Sequence, residues 1–449
     1  MFSTTFVQTL CVRTLKVDIP GMRHFKKSQN LFRRVSKIIP LASQTFSKSY
    51  LQWIKGAAPL FAVRAKGAAI WDVDGHRYVD FINALLPVIL GYQYPAVDEA
   101  IKKQLQKGIV LSLPSPLEGE LAELLIKHIP CAEMVRFGKN GSDVTSGAIR
   151  LARAVTGREH VAVCGYHGWH DWYIGSTTRK LGVPRSTQNL THKFEYNNIK
   201  SLEQIFRRHK NQVAAVIMEP MSYDEPKNNF LRKVKALAHK HGALLVFDEV
   251  ITGFRFDLGG AQKLFGVTPD LAAFGKSMAN GMPIAALVGK RRYMEKVKDI
   301  FYSFTQGGEL LSIAAAIATI KEIERRKVIP YLWKLGGILQ KSTKALIRRH
   351  GLEGTIEVKG KPVWQVFGFH ETNGFSDLEI KSYVQQELLQ RGFLWFGSHN
   401  MSFAHTKRDI DGILRAYDEI FERLQILLST KQLRRALRGK PITNIFKVR

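Results

Sequence analysis

The chain has 449 residues, of which 45% are hydrophobic, and a formal net charge of +29 at pH 7. This length allows about two to three globular domains with ample core. The apolar run 81–90 is interrupted by Asn83 and Pro87 and is too short to cross a bilayer. Cys11, Cys131 and Cys164 lie far apart without a CxxC pair, which argues against a disulfide scaffold and favours a reducing compartment.

The positive charge first suggests a nucleic-acid or membrane-surface partner. The basic residues are spread along the chain with enrichment at both ends: residues 431–449 hold no acid, and Asp18 is the one acid before residue 72. No RNA-binding aromatic signature, zinc finger or basic-leucine pattern accompanies them. We interpret the charge as a basic surface without a dedicated nucleic-acid role. Such a surface also suits an anionic substrate, such as a nucleotide sugar.

The N-terminal region is predicted to be an extension, 1–26, followed by a segment, 27–80. The first 21 residues contain arginine and hydroxyl side chains and few acids, which resembles an organellar transit peptide. We nevertheless expect a cytoplasmic protein. Residues 68–78 predict a hairpin, because Asp74-Gly75 is a turn signal between two strands.

A turn and a helix follow at residues 137–143, with the sequence FGKNGSD. The apolar spacing of Ala148, Leu151, Ala152 and Val155 predicts an amphipathic helix. Its N-terminus offers free N–H groups and a positive dipole end, which suit a phosphate. The alternative is an ordinary N-cap formed by Ser142 or Asp143.

Residues 165–172, GYHGWHDW, place an aromatic side chain between glycines. Such an aromatic can lie flat against a planar ring. Two alternatives are a core aromatic cluster and a metal site formed by His167, His170 and Asp171. The metal alternative lacks a second Cys/His cluster with a familiar spacing, so no resident metal is expected.

Apolar strands at 160–164, 214–218 and 243–247 alternate with amphipathic helices. This α/β pattern predicts a mostly parallel sheet in a large domain over 81–309. An Ala/Ile-rich helix starting at Leu310 is predicted to lead into a small C-terminal α/β domain, within 310–449.

Two charged residues follow buried strands of this predicted sheet. Asp248 directly follows the strand predicted at 243–247, and Lys276 follows the apolar residues 271–274. Ligands bind at the carboxyl ends of strands in open α/β sheets. There a lysine can form a Schiff base with pyridoxal phosphate, while an acid keeps a proton on the pyridine nitrogen. Taken singly, the acid also fits a metal ligand and the lysine a surface residue; a P-loop is excluded, because position 270 is Asp rather than Gly.

These motifs together resemble a class III aminotransferase of pyridoxal phosphate fold type I, on the branch of glutamate-1-semialdehyde aminomutase. The resemblance runs from about residue 27 to the C-terminus. Its most specific stretches are 247–255 (FDEVITGFR), 266–271 (GVTPDL) and 274–276 (FGK).

The resemblance implies a role for each matching residue. Lys276 would be the Schiff-base lysine and Asp248 the partner of the pyridine nitrogen. The other cofactor-binding residues it implies are Gly141 and Ser142 at the phosphate, Tyr166 and Val250 on the two ring faces, His167 and Glu219 near the cofactor, and Thr305 at the phosphate of the neighbouring subunit. A homodimer with shared active sites follows from the last of these.

The sequence departs from the aminomutase pattern where the substrate would bind. Lys48 stands where the aminomutase has an arginine, and a lysine cannot make the bidentate carboxylate contact. Residues 399–406, around Asn400, lack the acid of the aminomutase. Lys48 and Asn400 are therefore substrate-site candidates.

We expect amino transfer from an amino-acid donor to a keto or aldehyde acceptor, such as a sugar in surface-polysaccharide biosynthesis. The alternative is the aminomutase reaction, which gives 5-aminolevulinate. Two further alternatives are a decarboxylase or racemase of the same fold, which the same lysine and aspartate would serve, and a catalytically inactive relative. The joint presence of Lys276, Asp248, the phosphate turn and Thr305 argues against an inactive protein.

Overall fold

The computed structural model describes residues 22–443, which begin with a helix and a three-stranded meander. Helix α1 spans Lys26–Val35, and short 3-10 turns lead to strands β1 (Ala62–Lys66), β2 (Ala69–Asp72) and β3 (Arg77–Asp80). The predicted hairpin is confirmed, since β2 and β3 pair antiparallel around a turn in which Gly75 has a φ of 94°. Residues 1–21, including the transit-like segment, lie outside the described part of the chain.

A seven-stranded sheet forms the centre of the molecule. Its strands are β4 (Met134–Gly138), β5 (His160–Cys164), β6 (Thr191–Lys193), β7 (Val213–Met218), β8 (Leu244–Asp248), β9 (Leu271–Phe274) and β10 (Ala285–Gly289). They lie in the order β4-β10-β9-β8-β7-β5-β6, and of these seven β10 alone runs against its neighbours. The prediction of a mostly parallel sheet is therefore confirmed.

Helices cover the sheet and bury its strands. They are α2 (Pro95–Leu105), α3 (Pro116–His128), α4 (Gly141–Thr156), α5 (Asp171–Ile174), α6 (Arg185–Gln188), α7 (Ile199–Arg208), α8 (Phe230–Lys240), α9 (Ala261–Phe265) and α10 (Arg291–Met294). All six residues of β7 are buried, as expected of a central parallel strand with both faces covered. On α4 the predicted apolar positions Ala148, Leu151 and Ala152 are buried, so that face packs on the sheet.

The C-terminal part begins with two long helices and a small antiparallel sheet. Its elements are α11 (Leu310–Arg325), α12 (Val328–Arg349), β11 (Ile356–Lys361), β12 (Trp364–Phe369), α13 (Asp377–Gln390), β13 (Phe393–Leu394), β14 (Ser398–Asn400), α14 (Lys407–Ser429) and α15 (Leu433–Ala436). The small sheet has the order β11-β12-β14. Strand β13 instead pairs parallel with β3, through Phe393 and Val79, so the two ends of the chain form one sheet.

The buried Arg255 ties the C-terminal part to the large sheet. Its Nη1 donates to the carbonyl oxygens of Met401 (2.7 Å) and Val363 (3.1 Å), and its Nη2 donates to that of Leu86 (2.8 Å). The side chain is fully buried, and this burial lowers the pKa of the guanidinium to about 9. The three acceptors lie in separate segments, so one cation holds them together.

The segment that contains Leu86 has an uncommon backbone. Asn83, Ala84, Leu85 and Leu86 have φ values of 46°, 53°, 74° and 86°. Left-handed conformations are costly for non-glycine residues and persist where the surroundings hold them. Asp80 supplies part of that hold, because its Oδ1 accepts from the amides of residues 82 (2.7 Å) and 83 (3.1 Å).

None of the helices between residues 22 and 443 combines the length and apolar character needed to cross a bilayer. The predicted domain boundaries at 27–80, 81–309 and 310–449 stay a prediction.

Candidate active site

A cavity of about 490 Å³ opens at the carboxyl ends of the parallel strands. It lies where β5, β7, β8 and β9 end and where helix α4 begins, which is the usual place for a ligand in such a sheet. Its lining includes Gly141, Ser142, Tyr166, His167, Glu219, Asp248, Val250 and Lys276. The structure thus brings together eight of the predicted site residues around one space.

Asp248 is the last residue of β8, and its carboxylate is held from two sides. Its Oδ2 lies 2.9 Å from Nδ1 of His167, and its Oδ1 accepts from the amide of Val250 at 3.1 Å. Asp248 is 6% exposed and His167 only 1%. Such a hydrogen bond between an imidazole and a carboxylate fixes the orientation of the acid.

Lys276 begins the 3-10 turn that follows β9. Its φ of 37° lies in the left-handed region, which is uncommon for a lysine. The preceding Gly275 packs beside Val250, with space for a Cβ no closer than 3.5 Å to that side chain. This turn directs the chain at the cavity edge, where the half-buried lysine forms part of the lining.

Helix α4 begins at Gly141, as predicted, but its N-cap is Asn140. The Oδ1 of Asn140 accepts from the amides of Ser142 (3.0 Å) and Asp143 (3.3 Å), while Oδ2 of Asp143 accepts from the amide of Asn140 (2.9 Å). The alternative that Ser142 or Asp143 is the cap was wrong. This capping box leaves Gly141 and the Ser142 side chain at the cavity edge with the positive end of the helix behind them.

The loop 165–172 packs closely on this helix start. The amide of Trp169 donates to Oγ of Ser142 at 3.2 Å. Gly168 has a φ of 102°, and a Cβ on it would come within 2.3 Å of the same oxygen. Glycine is therefore required at 168, because the loop and the helix approach each other without room for a side chain.

Glu219 joins the same loop to β7. Its carboxylate accepts from the amide of Tyr166 at 3.3 Å and is 5% exposed. The ring of Tyr166 is 36% exposed and meets Tyr173 edge to face at a centroid distance of 5.7 Å. The alternative of a metal site from His167, His170 and Asp171 is not favoured, because His167 pairs with Asp248 and His170 with Ser146 Oγ at 2.6 Å.

Several lining residues were missed by sequence reasoning. Lys139 forms an ion pair of 2.9 Å with Glu309, which itself caps helix α11. Trp169 is 66% exposed at the cavity mouth. Both residues lie next to residues of the predicted motifs, which was the one sign in the sequence that they could line the site. Their position in the sequence does not say which way their side chains point.

Three predicted residues lie away from this lining. Thr305 is exposed in the turn that precedes α11. Lys48 is exposed at the edge of a second cavity, of about 260 Å³, which Asp80 also lines. Asn400 is 2% exposed and donates from Nδ2 to the carbonyl of Ile82 at 2.7 Å. Asn400 thus contacts the chain just before the left-handed segment 83–86. Its role toward a substrate remains a prediction.

The cavity fits pyridoxal phosphate on its own geometry. It offers a lysine amine, a buried carboxylate fixed by an imidazole, and the N-terminus of a helix. Gly141 keeps the space at that N-terminus open, because a Cβ at this position would come within 3.1 Å of Val250. An α/β protein with this arrangement is a pyridoxal phosphate enzyme of fold type I.

Comparison with known proteins gives the family. The family model described as aminotransferase class-III matches residues 53–402. The chain is 34% identical over 412 residues to the 3-aminobutyryl-CoA aminotransferase of Cloacimonas acidaminovorans (strain Evry), covering 90% of this chain and 98% of that protein. It is 35% identical over 430 residues to the glutamate-1-semialdehyde 2,1-aminomutase of Desulfatibacillum aliphaticivorans, covering 89% and 100%.

A solved structure agrees with this result. The FumI protein of Sphingopyxis sp. MTA144 with its pyridoxal phosphate superposes with a TM-score of 0.83, at 30% identity, over 90% of this chain and 98% of that one. The chain therefore belongs to the class III aminotransferases, which use pyridoxal phosphate.

Proposed function

We propose that this protein moves an amino group between two molecules, from an amino-acid donor to an anionic keto or aldehyde acceptor. The observation that carries the proposal is the arrangement of Lys276, Asp248 and His167 around one cavity. When bound, pyridoxal phosphate supplies an electron sink for the carbanion formed at the substrate carbon.

Each residue then has a defined task. Asp248, oriented by His167, would keep a proton on the pyridine nitrogen. Lys276 would hold the cofactor covalently, and its amine would serve as the base for the proton on the amine-bearing carbon of the donor. Gly141 and Ser142 receive the phosphate at the start of α4, where the helix dipole favours an anion.

For the acceptor we propose a sugar that carries phosphate or a nucleotide. The support is twofold. Lys48, in place of an arginine, lies beside Asp80 at the second cavity rather than against the cofactor cavity. The charge of +29 raises the encounter rate of an anionic molecule. The activities of the two relatives named above define the competing substrates, an acyl-CoA thioester and glutamate-1-semialdehyde.

The test is a set of half-reactions with the purified holoenzyme. Glutamate first loads the enzyme with the amino group, and each acceptor class is then added in a single turnover followed by absorbance. We expect transfer to a nucleotide-linked keto sugar, with an efficiency that falls as ionic strength rises. Efficient formation of 5-aminolevulinate without any transfer to sugars would establish the aminomutase alternative instead. If the amino group is transferred only to a 3-oxoacyl-CoA, the acceptor is a thioester and the proposal of a sugar acceptor is wrong.

We also propose a homodimer with shared active sites. Thr305 is not among the residues that line the cavity of its own chain, whereas its turn adjoins an exposed apolar strip. The strip consists of Ile109, Val110, Leu111 and Leu113, and the amide of Leu310 donates to the carbonyl of Ile109 at 2.9 Å. Such a contiguous apolar surface fits a two-fold contact between copies.

A cytoplasmic location remains our proposal. Cys131 and Cys164 are free and buried. Burial raises the pKa of Cys164 to about 12, so this thiol stays protonated and unreactive.

A further inference from the structure

Three histidines from three different elements meet at the end of the sheet opposite the cavity. His160 is the first residue of β5, His192 lies in β6, and His209 directly follows α7. Nδ1 of His160 lies 2.8 Å from Nε2 of His192. The three rings have centroid separations of 5.1, 4.4 and 4.0 Å, so each ring contacts both of the others.

The backbone holds these three positions in place. The amide of His160 donates to the carbonyl of Gln212 at 3.0 Å, and the amide of Gln212 donates to that of His209 at 3.1 Å. Strands β5 and β6 pair in parallel with Ala162 opposite His192. Only rotations of the side chains are therefore needed to change how the ring nitrogens point.

The spacing of the nitrogens suits a small divalent cation. One ring nitrogen from each histidine lies within 4.8 Å of the other two. A tetrahedral ion with Zn–N bonds of about 2.0–2.1 Å places its ligand nitrogens about 3.3 Å apart. To bind such an ion, the three stacked rings would have to turn about their side-chain torsions until one nitrogen of each points at it. The side chains are partly exposed, so an ion can enter from solvent.

The charge around the cluster also bears on the ligands. Nδ1 of His160 lies 2.8 Å from Nε2 of His192, so at least one of these two nitrogens carries no proton and presents a lone pair. An unprotonated ring nitrogen is the form that binds a metal. Arg153 and Arg208 lie nearby and add positive charge. They favour an anion, such as hydroxide or chloride, at the fourth coordination position.

We propose that His160, His192 and His209 form a binding site for a divalent transition-metal ion of the zinc class. Imidazole ligands suit zinc, nickel and copper, and three histidines leave one coordination position open. The sequence analysis expected no resident metal, and the spacing of these histidines gave no reason to expect one. His160 and His192 are 32 residues apart, so no compact ligand motif is visible.

The site is separate from the cofactor chemistry. β5 runs from His160 to Cys164, and a rise of about 3.3 Å per residue puts its two ends about 13 Å apart. An ion there would cross-link β5, β6 and the end of α7. We therefore expect it to stabilise the edge of the large sheet without entering the reaction.

The test is a Co²⁺ titration of the metal-stripped holoenzyme, followed by ligand-field absorption and equilibrium dialysis. We expect one Co²⁺ per chain, displaced by Zn²⁺, with no change in the cofactor absorption band. His192→Ala and His209→Ala should each weaken binding by more than about a hundredfold, since removing a ligand costs more than removing its hydrogen-bond partner. The matched control is His370→Ala, because His370 is a half-exposed histidine paired with Glu357.

A second variant and a second readout protect the test from a folding defect. His209→Gln keeps the size and polarity at the end of α7, and its melting temperature without metal should match that of the wild type. Zn²⁺ should raise the melting temperature of the wild type and of His370→Ala, but not that of His209→Gln. Absence of stoichiometric Co²⁺ uptake, or uptake that is unchanged in all cluster variants, would overturn the proposal.

Discussion

Nδ1 of His167 lies 2.9 Å from Oδ2 of Asp248, and both side chains are buried at the floor of the same cavity. His167 lies three residues beyond the end of β5 and Asp248 is the last residue of β8, and in the sheet β7 lies between these two strands. A carboxylate that is fixed in this way cannot rotate away from a ring nitrogen placed before it. In the proposed mechanism, this pair would keep a proton on the pyridine nitrogen of the cofactor.

Asp248→Asn should leave the protein folded and able to bind pyridoxal phosphate, but it should slow amino transfer by at least about a hundredfold. A neutral amide does not hold the pyridinium proton as a carboxylate does. Single-turnover absorbance with glutamate measures this rate. His167→Asn keeps a hydrogen-bond donor near the acid, so its rate of amino transfer should fall less than that of Asp248→Asn. Near-normal turnover in Asp248→Asn would contradict the assigned role.

Lys276→Ala should abolish the lysine-linked chromophore and turnover. Lys139 lines the same cavity but is held by Glu309, so it is a poor substitute. Borohydride reduction followed by peptide mapping locates the attachment. We expect modified Lys276 in the wild type and in the exposed-surface control Lys344→Ala. Label on Lys139 instead would remove Lys276 from its assigned position.

Mixing Lys276→Ala with Thr305→Ala should restore activity if the sites are shared. In a mixed dimer one of the two sites receives an intact Lys276 from one chain and an intact Thr305 from its partner. Random association then predicts about a quarter of the wild-type activity. The measurement is turnover before and after subunit exchange, with the oligomeric state followed by sedimentation. A fully active monomer would exclude this arrangement.

Arg255→Met should lower the free energy of unfolding by about 3 kcal/mol or more. The substitution leaves three buried carbonyl acceptors without their donor, and each unsatisfied group costs about 1–3 kcal/mol. Denaturant titration provides the number. The control Arg348→Met lies on the exposed face of α12 and should change stability by less than about 0.5 kcal/mol. Equal stability of the two variants would show that Arg255 does not hold the segments.

Acid should destabilise the fold through two buried histidines. Burial lowers the pKa of His399 to about 3 and that of His405 to about 4, from 6.5. His405 is neutral by geometry, accepting from the amide of Ser402 at 3.0 Å and facing the carbonyl of Asp80 at 3.2 Å. The unfolded chain binds protons that the folded chain does not, so stability falls as the pH drops from about 6.5 toward 4.

The free energy of unfolding should fall by about 3 kcal/mol between about pH 6.5 and pH 4 through His405 alone. Denaturant titrations at several pH values measure it. His399→Gln, which keeps a hydrogen-bonding side chain near Gln365 and Tyr417, should show a shallower acid dependence than the wild type. A wild-type stability that stays constant between pH 7 and pH 4 would show that these histidines are not held neutral.

The sequence predicted best what depends on local pattern. Strand β5 has the predicted bounds, β7 begins one residue earlier than predicted, and β8 is shifted by one residue at both ends. The agreement is close because a continuous apolar run marks a buried parallel strand. The start of α4 was also predicted, whereas its cap was not. Asn140, Ser142 and Asp143 are all good capping residues, and propensity alone cannot rank three candidates within four positions.

Features that depend on long-range packing were not predictable. The contact between His167 and Asp248 joins residues 81 apart, and the three-histidine cluster joins separate elements. The left-handed run at 83–86 contains no glycine, so the sequence carries no turn signal for it. Its conformation depends on the nearby Asp80 and on Asn400 and Arg255, which reach it from distant parts of the chain.

The anchoring of Leu86 by Arg255 has a mechanical consequence. Leu86 precedes Pro87, which lines the cofactor cavity, and the same guanidinium also binds the carbonyl of Met401 in the C-terminal part. We therefore expect a displacement of the segment at 401 to be transmitted to the cavity wall through this one planar group. Substitutions near residue 401 should change the shape of the binding space even though that residue does not line it.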